Sequence, residues 1–331
     1  MFVAQSFAAP DHDIGMKWAV RTAREMHSKG VGLNLKDGTS SVMLQCCIDY
    51  FVHAMPFIPR HTGFVEVFSG KGGTTERVRS KQIRAFAVDR TLKTDGSHDV
   101  CTAVGLLYVL WLLGTLRVGS FAHLAPECST WIGLARAHTR RRRGDTEGDV
   151  SREKVLEANH VAAFTSLRSY VMVLAAVRGF YVSVEQPAHS LLFHDPSMVD
   201  AIKNVSAKKM FLWMGGWGGN SLKPTEIYYT CPAERFSVLH KSFKEAAAVQ
   251  GKGKGKASAS TDSRVVIRQK KSARTSGKGW KTGEWITGKK AELKQTQEYP
   301  DNFCAAFADL IESVFDAPGT ASLSMPSVLK Y

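Results

Sequence analysis

The chain has 331 residues, of which 44% are hydrophobic, and a formal net charge of +14 at pH 7. This length and apolar content suffice for a large buried core, which excludes a wholly disordered protein. The charge is uneven: residues 251–290 hold twelve Lys and Arg against two acids, so a local basic segment is expected to attract an acidic partner.

The cysteines and the longest apolar run bear on the compartment. The six cysteines form no C-x-x-C pair, have no histidines at zinc spacing and follow no secretory signal. We therefore expect no metal site, and an intracellular protein of the nucleus or cytoplasm. The run Val100 to Leu116 contains two glycines and is shorter than the roughly 20 residues of a membrane span, so it is predicted to be a buried helix. Neither secretion nor a membrane partner is expected.

The first 246 residues are divided into two predicted segments. Residues 1–60 are interpreted as an N-terminal helical cap, and residues 61–246 as the core, in which β-branched runs alternate with helical patterns. Strands are expected at 64–68, 83–88, 121–125, 181–185, 209–214 and, near the sheet edge, 227–230. Helices are expected at 75–80, 99–116, 151–178 and 196–204. This alternation predicts an α/β, doubly wound, mostly parallel Rossmann-like sheet of about seven strands.

Two further segments follow this core. Residues 247–282 are rich in Gly, Ser and Lys, which predicts a basic low-complexity loop or linker with one short strand candidate, Val265 to Ile267. Residues 283–331 are predicted to return to the core. The basic segment supplies five predicted nucleic-acid contacts, Lys252, Lys254, Lys256, Lys270 and Lys271.

A glycine-rich turn, Phe68-Ser69-Gly70-Lys71-Gly72-Gly73, joins the first predicted strand to the next helix. Glycines there let the backbone approach a ligand, and the helix N-terminus offers free N–H groups. A P-loop is excluded, because Val65 stands where it needs glycine and Gly72 where it needs Ser or Thr. A dinucleotide fingerprint lacks its third glycine. The third ligand class is S-adenosylmethionine, which needs a looser turn and an acid ending the next strand.

Asp89 is a candidate for that acid. It follows Gly73 by sixteen residues, near the ~20 expected when a carboxylate on the second strand accepts the ribose hydroxyls. The alternative is an ordinary tight turn with a solvated aspartate.

The turn resembles the F-x-G-x-G-G signature of the cytosine-5 DNA methyltransferases, and later segments follow that family's order from Phe64 to Leu310. Those segments are Asp89, Asp99-Val100, Ala125-Pro126-Glu127-Cys128, Val184-Glu185-Gln186-Pro187 and residues 293–307. The resemblance implies a class I methyltransferase fold, S-adenosylmethionine as cofactor and DNA or RNA as partner. It implies cofactor binding by Phe68, Gly70, Gly72, Gly73, Asp89 and Asp99, and catalysis by Cys128 and Glu185.

The expected chemistry is consistent with the last two residues. Cytosine C5 becomes nucleophilic when a thiolate adds at C6, and a carboxylic acid is needed to protonate N3. Cys128 and Glu185 each follow or end a predicted parallel strand, so both side chains should reach the same cleft. The alternatives are a small buried thiol and a turn glutamate.

A basic loop follows the cysteine by a dozen residues. Its arginines, Arg140, Arg141, Arg142 and Arg143, are predicted to hold phosphates while a base is extruded. A solvated loop or a localisation signal is the alternative. Four tryptophans beside glycine-rich or basic segments are candidate stacking surfaces for bases: Trp213, Trp217, Trp280 and Trp285.

The chain also departs from the family pattern. Glu127 replaces the second proline and should raise the pKa of the neighbouring thiol. Ser129 replaces a glutamine, and residues 223–227 stand where the family has its Gln-x-Arg-x-Arg strand. Three interpretations therefore stay open: an active cytosine-5 type enzyme, an inactive methyltransferase-fold protein that binds nucleic acid, and a methyltransferase for another acceptor.

Overall fold

The computed structural model describes residues 10–33, 40–93, 95–166, 179–219, 222–252 and 298–315. The strands are β1 (Thr62–Val67), β2 (Ala85–Val88), β3 (Leu116–Leu124), β4 (Tyr181–Pro187), β5 (Lys208–Trp213) and β6 (Pro224–Tyr229). The helices are α1 (Pro10–Ser28), α2 (Ser40–Ala54), α3 (Gly73–Ser80), α4 (Ala103–Gly114), α5 (Arg136–Thr139), α6 (Glu153–Ser166), α7 (Pro196–Asn204), α8 (Ala233–Phe236), α9 (Phe243–Lys252) and α10 (Asp301–Phe315).

The strands form one mixed sheet in the order β2-β1-β3-β4-β6-β5. Strands β2, β1, β3 and β4 are parallel, whereas β6 is antiparallel to both β4 and β5. The predicted α/β, mostly parallel sheet is confirmed, with six strands in the described residues, and it is compatible with the predicted Rossmann-like fold. Strand order reverses between β1 and β3, so their carboxyl ends flank the crevice where open α/β sheets bind ligands.

Helix α4 covers one face of the sheet and is itself buried on nearly every side, because α1 and α2 pack on it from outside. The Thr102 hydroxyl accepts a hydrogen bond from the Gly105 N–H at 3.0 Å and caps this helix. A Cβ at Gly15 would lie 2.4 Å from Trp111 Cδ1, so glycine permits the close approach of α1. The buried helix predicted within Val100 to Leu116 is confirmed. In the part of the chain that the structure describes, no helix is long and apolar enough to cross a membrane.

Helices α3 and α10 cover the opposite face. The apolar side of α10 is buried against the sheet and α3 through Phe303, Phe307, Leu310, Ile311 and Val314. Tyr299, before α10, lies beside Glu185 near the carboxyl end of β4, whereas Phe315 at the end of α10 lies beside Gly63 near the amino end of β1.

Strand β3 differs from its predicted bounds, since it begins at Leu116 instead of residue 121. Gly119 has a φ of 77° and donates its N–H to the Gly179 carbonyl at 2.8 Å. The register with β1 also shifts between Thr62 and Phe64. A bulge at a glycine lets the strand continue through a sequence that does not alternate regularly.

Two other predictions are described only in part. The helix expected at 151–178 begins at Glu153 and is described to Ser166. Residues 167–178 and the strand candidate Val265 to Ile267 lie outside the described residues.

Candidate active site

The glycine turn follows β1 at the carboxyl edge of the sheet. Gly70 and Gly72 have φ values of 55° and 72°, which favour glycine, and Gly72 caps α3. A Cβ at Gly70 would meet no atom within 4 Å, so this part of the turn faces open space. A Cβ at Gly73 would lie 3.2 Å from Cys304 Sγ. Gly73 thus permits close packing of α3 on α10, a role that the predicted cofactor contact did not include.

Asp89 lies beside this turn, as predicted from the spacing. Its Oδ2 accepts a hydrogen bond from the Gly70 N–H at 2.9 Å, and its Oδ1 accepts the Thr91 N–H at 2.8 Å and the Thr91 hydroxyl at 2.6 Å. A carboxylate accepts about four hydrogen bonds, so one acceptor position on Oδ2 remains for a ligand hydroxyl. The Ser69 hydroxyl, buried in the same turn, has no hydrogen-bond partner among the described residues. The open space at Gly70, this acceptor and this unpaired hydroxyl fit a small polar ligand such as the ribose of S-adenosylmethionine.

The other two predicted cofactor residues border the same region. Phe68 has a φ of 61°, and its half-buried ring packs edge-to-face on Phe164 at 6.1 Å. Asp99 precedes α4, and its Oδ1 accepts the Cys101 N–H at 2.9 Å. Both residues have structural contacts, and their roles toward a ligand stay predictions.

Cys128 lies four residues after the end of β3. The turn before it is fixed from the neighbouring strand, because the Gln186 side chain donates a hydrogen bond to the Pro126 carbonyl. Ser190 holds Gln186 in turn, at 2.9 Å. Burial raises the pKa of the Cys128 thiol to about 11, the charge of Lys223 opposes this rise, and the Glu185 carboxylate adds to it. The thiol is therefore protonated at neutral pH in this state.

As predicted, the charge of Glu127 raises the pKa of the Cys128 thiol, but burial, Lys223 and Glu185 have larger effects. Its carboxylate accepts hydrogen bonds from Arg90 Nη2 at 2.8 Å and from the Ser129 hydroxyl at 2.7 Å. These two partners offset the negative charge of Glu127. Burial is the largest cause of the raised pKa of Cys128.

Glu185 lies near the end of β4 with 5% of its surface exposed. Tyr299 donates its hydroxyl to Glu185 Oε2 at 3.2 Å, and Lys223 Nζ lies 3.5 Å from Oε1. Because the charge of Lys223 also lowers the pKa of Cys128, this cation serves both candidate catalytic groups. The structure thus brings together the predicted acid and the predicted nucleophile around one lysine.

A buried polar row crosses three strands beneath this site. Glu66, His123 and Ser183 stand in register on β1, β3 and β4. His123 Nδ1 lies 2.7 Å from the Ser183 hydroxyl and Nε2 lies 3.0 Å from the Tyr299 hydroxyl. The Tyr299 hydroxyl donates its hydrogen bond to Glu185, so it accepts one from the Nε2–H group of His123. Nδ1 then accepts a hydrogen bond from the Ser183 hydroxyl, and the imidazole with a single N–H group is neutral. Burial lowers the pKa of His123 to about 3, which agrees with that form.

Glu66, at the end of this row, binds the first turn of α3, the helix that follows the glycine turn. Its Oε2 accepts the Thr75 N–H at 3.0 Å and the Thr75 hydroxyl at 2.7 Å, within the first turn of α3. Burial nevertheless raises the pKa of Glu66 to about 7.

The arginine loop, residues 136–143, contains one correction. Arg141 is fully buried, with its guanidinium 3.5 Å from the centre of the Trp131 ring and hydrogen-bonded to the carbonyls of Thr146 and Val155. The prediction that Arg141 contacts phosphate is therefore wrong for this conformation, since its donors face backbone. Arg141 instead anchors the loop close behind Cys128.

The remaining predicted nucleic-acid contacts are placed differently. Arg140, Arg142 and Arg143 are exposed, and Arg140 lies 3.8 Å from the Asp149 carboxylate. Lys252 is the last residue of α9, and the four other predicted lysines, Lys254, Lys256, Lys270 and Lys271, lie outside the described residues, as do Trp280 and Trp285. Trp217 donates to the Leu239 carbonyl and packs on Phe303, which are structural contacts.

No protein-family model, curated protein or solved structure matches this chain at a significant level. In the described ranges, no group of three or more His, Cys, Asp or Glu side chains could hold a metal ion.

Four residues of the site were not singled out by sequence: His123, Gln186, Lys223 and Tyr299. A signal existed for part of this set, because a polar residue interrupts each of three apolar strands, as Glu66, His123 and Ser183 do. Lys223 and Tyr299 come from distant segments, so nothing in their spacing relates them to Glu185.

Proposed function

We propose that this protein is an S-adenosylmethionine-dependent methyltransferase of the cytosine-5 type that acts on nucleic acid. The observation that supports this most is that Asp89 is hydrogen-bonded to the glycine turn at the same sheet edge where Cys128, Glu185 and Lys223 meet. The order of the matching motifs along the chain also supports it.

Each group has a defined task in this proposal. S-adenosylmethionine, when bound, supplies the methyl group. The Glu185 carboxylate takes the proton of the Cys128 thiol and passes it to N3 of the base while the Cys128 thiolate adds to C6, which makes C5 nucleophilic. Lys223 favours the thiolate by its charge, and Tyr299 orients the Glu185 carboxyl group. After methyl transfer, water takes the C5 proton, N3 returns its proton to the Glu185 carboxylate, and the thiolate leaves C6 and regains its proton from Glu185, which restores the ring and the enzyme.

One observation favours a second candidate function, an inactive protein that keeps the fold and binds nucleic acid. Burial raises the pKa of Cys128 to about 11, so only a small fraction of thiolate exists at pH 7. The active enzyme requires that the bound base and the approach of Lys223 lower this pKa.

The cofactor site is tested by calorimetric titration of the protein with S-adenosylmethionine. Wild type is expected to bind, Asp89→Ala to lose binding, and Asp13→Ala, which changes an exposed aspartate on α1, to bind like wild type. No binding by wild type, or equal binding by Asp89→Ala, would contradict the proposed site.

The reaction is tested with single-stranded DNA or RNA that carries 5-fluorocytosine. Because fluorine cannot leave C5 as a proton does, the adduct with Cys128 should accumulate and shift the protein on a denaturing gel. The adduct should be absent in Cys128→Ser and should form normally in Cys46→Ser, a partly exposed cysteine of α2. Cofactor binding without any adduct would favour the inactive protein.

A further inference from the structure

Three aromatic side chains form a partly exposed row at the edge of the sheet. Phe211 and Trp213 lie on the same face of β5, with ring centres 5.7 Å apart, and Phe243 at the start of α9 lies 5.0 Å from Trp213. Phe211 is 36% exposed and Phe243 is 53% exposed. Both ring pairs are edge-to-face, at 76° and 66°, so the rings are not stacked on one another. We name these three residues the β5 aromatic face.

This face borders the candidate active site. Strand β5 is parallel to β4, because β6 is antiparallel to both. Trp213 therefore lies at the carboxyl edge of the sheet, where it pairs in register with Pro224. The residue before Pro224 is Lys223, the cation beside Glu185.

Positive charge lies near the same edge. The Thr146 hydroxyl, just after the arginine loop, donates a hydrogen bond to Asp195 at 3.2 Å, so the loop lies beside His194. Lys209 on β5 is paired with Glu226 at 3.0 Å, so the arginines are the cations that remain for a ligand. Arg136, Arg142 and Arg143 are exposed, and within the described ranges no ion pair joins them to a carboxylate. Arg141, buried on Trp131, fixes the loop in this position.

A row of partly exposed aromatic rings beside exposed arginines suits one ligand above others. Bases without a pairing partner stack on aromatic rings, while phosphates take the cations. A duplex hides its base faces, and an acidic peptide would use only the arginines. We propose that the arginine loop and the β5 aromatic face bind a single strand of nucleic acid and lead it to the candidate active site. The direction toward the site rests on the proposed function, whereas strand binding does not.

The test is fluorescence anisotropy of the full chain with a labelled single-stranded oligonucleotide of about 12 nucleotides, within the site size of such grooves. Phe211→Ala and Phe243→Ala should each weaken binding about 5- to 150-fold, which corresponds to the loss of one stacked base. Phe211→Trp should keep the affinity because it restores a stacking surface. Arg142→Ala and Arg143→Ala should each lower the slope of log K against log salt by about 0.7.

Matched controls lie at other surfaces. Phe57, 85% exposed, precedes β1 at the amino edge of the sheet, and Arg24 is exposed on α1. Phe57→Ala and Arg24→Ala should bind the oligonucleotide like wild type. Unchanged affinity in the β5 variants, equal losses in the controls, or a stronger preference for duplex would overturn the proposal.

Cofactor titration of the same variants separates this inference from the proposed function. Oligonucleotide binding that depends on the β5 aromatic face, without cofactor binding, would leave the strand site standing and remove methyl transfer. The opposite result is cofactor binding together with an oligonucleotide affinity that neither the aromatic nor the arginine variants change. It would remove the strand site and leave the proposed cofactor site standing.

Discussion

Replacing Glu66 with glutamine should change how the stability of this protein depends on pH. Burial raises the pKa of Glu66 from 4.5 to about 7, so the folded protein keeps this carboxyl group protonated where the unfolded chain has lost the proton. Stability from this group is thus full below pH 4.5 and is lost as the pH rises to 7. At about 1.4 kcal/mol for each pH unit, the loss amounts to about 3 kcal/mol.

His123 has the opposite dependence. Burial lowers its pKa from 6.5 to about 3. Below pH 6.5 the unfolded chain therefore binds a proton that the folded protein does not bind, and the free energy of unfolding decreases as the pH falls. Between pH 4.5 and 6.5 the two buried groups largely cancel. As the pH rises from 4.5 to 6.5, the free energy of unfolding of wild type should therefore stay nearly constant, whereas that of Glu66→Gln should increase.

The assay is urea unfolding at several values between pH 4.5 and 8, for wild type, Glu66→Gln and Glu76→Gln. Glu76 is an exposed glutamate on the same helix as Thr75, which makes it a matched control. The free-energy difference between Glu66→Gln and wild type should change by about 3 kcal/mol in favour of the variant as the pH rises. A difference that does not vary with pH, or that Glu76→Gln reproduces, would refute the argument from burial.

Three further outcomes are expected. Alkylation of Cys128 by iodoacetamide, followed by mass spectrometry, should accelerate with pH well above 8 and should be slower in Lys223→Met, because the lysine charge favours the thiolate. Tyr299→Phe should lower the free energy of unfolding by about 1–2 kcal/mol, since it removes a buried bridging hydroxyl, and should reduce adduct formation with 5-fluorocytosine. Arg141→Ala should lower the free energy of unfolding by about 3 kcal/mol, whereas Arg143→Ala, at an exposed position, should change it by less than about 0.5 kcal/mol.

The sheet could be predicted because its signals are local. Runs such as Phe64 to Phe68 and Tyr181 to Glu185 are apolar and short, and the helical patterns between them require parallel strands. The spacing of Gly73 and Asp89 likewise placed the carboxylate beside the turn, which the hydrogen bond to Gly70 bears out.

The remainder depended on contacts between distant residues. Neighbours in space decide whether an arginine in a basic run points outward. Arg141 faces inward because its guanidinium packs on the Trp131 ring and donates hydrogen bonds to two carbonyls. The partners of Glu185 come from separate segments, at Lys223 and Tyr299. No periodicity within β4 encodes them.

The late return of the chain at Tyr299 has a consequence for synthesis. Its hydroxyl joins residues that precede it by 114 and 176 positions, and Glu298 pairs with Lys71 across 227 positions. Contacts of such separation form slowly, because the intervening chain must first be closed into a loop. A nascent or truncated chain that ends before residue 298 would hold all six strands and the glycine turn, yet lack the side chain that orients the acid. The candidate site is therefore assembled only after the ribosome has synthesised the chain past residue 299.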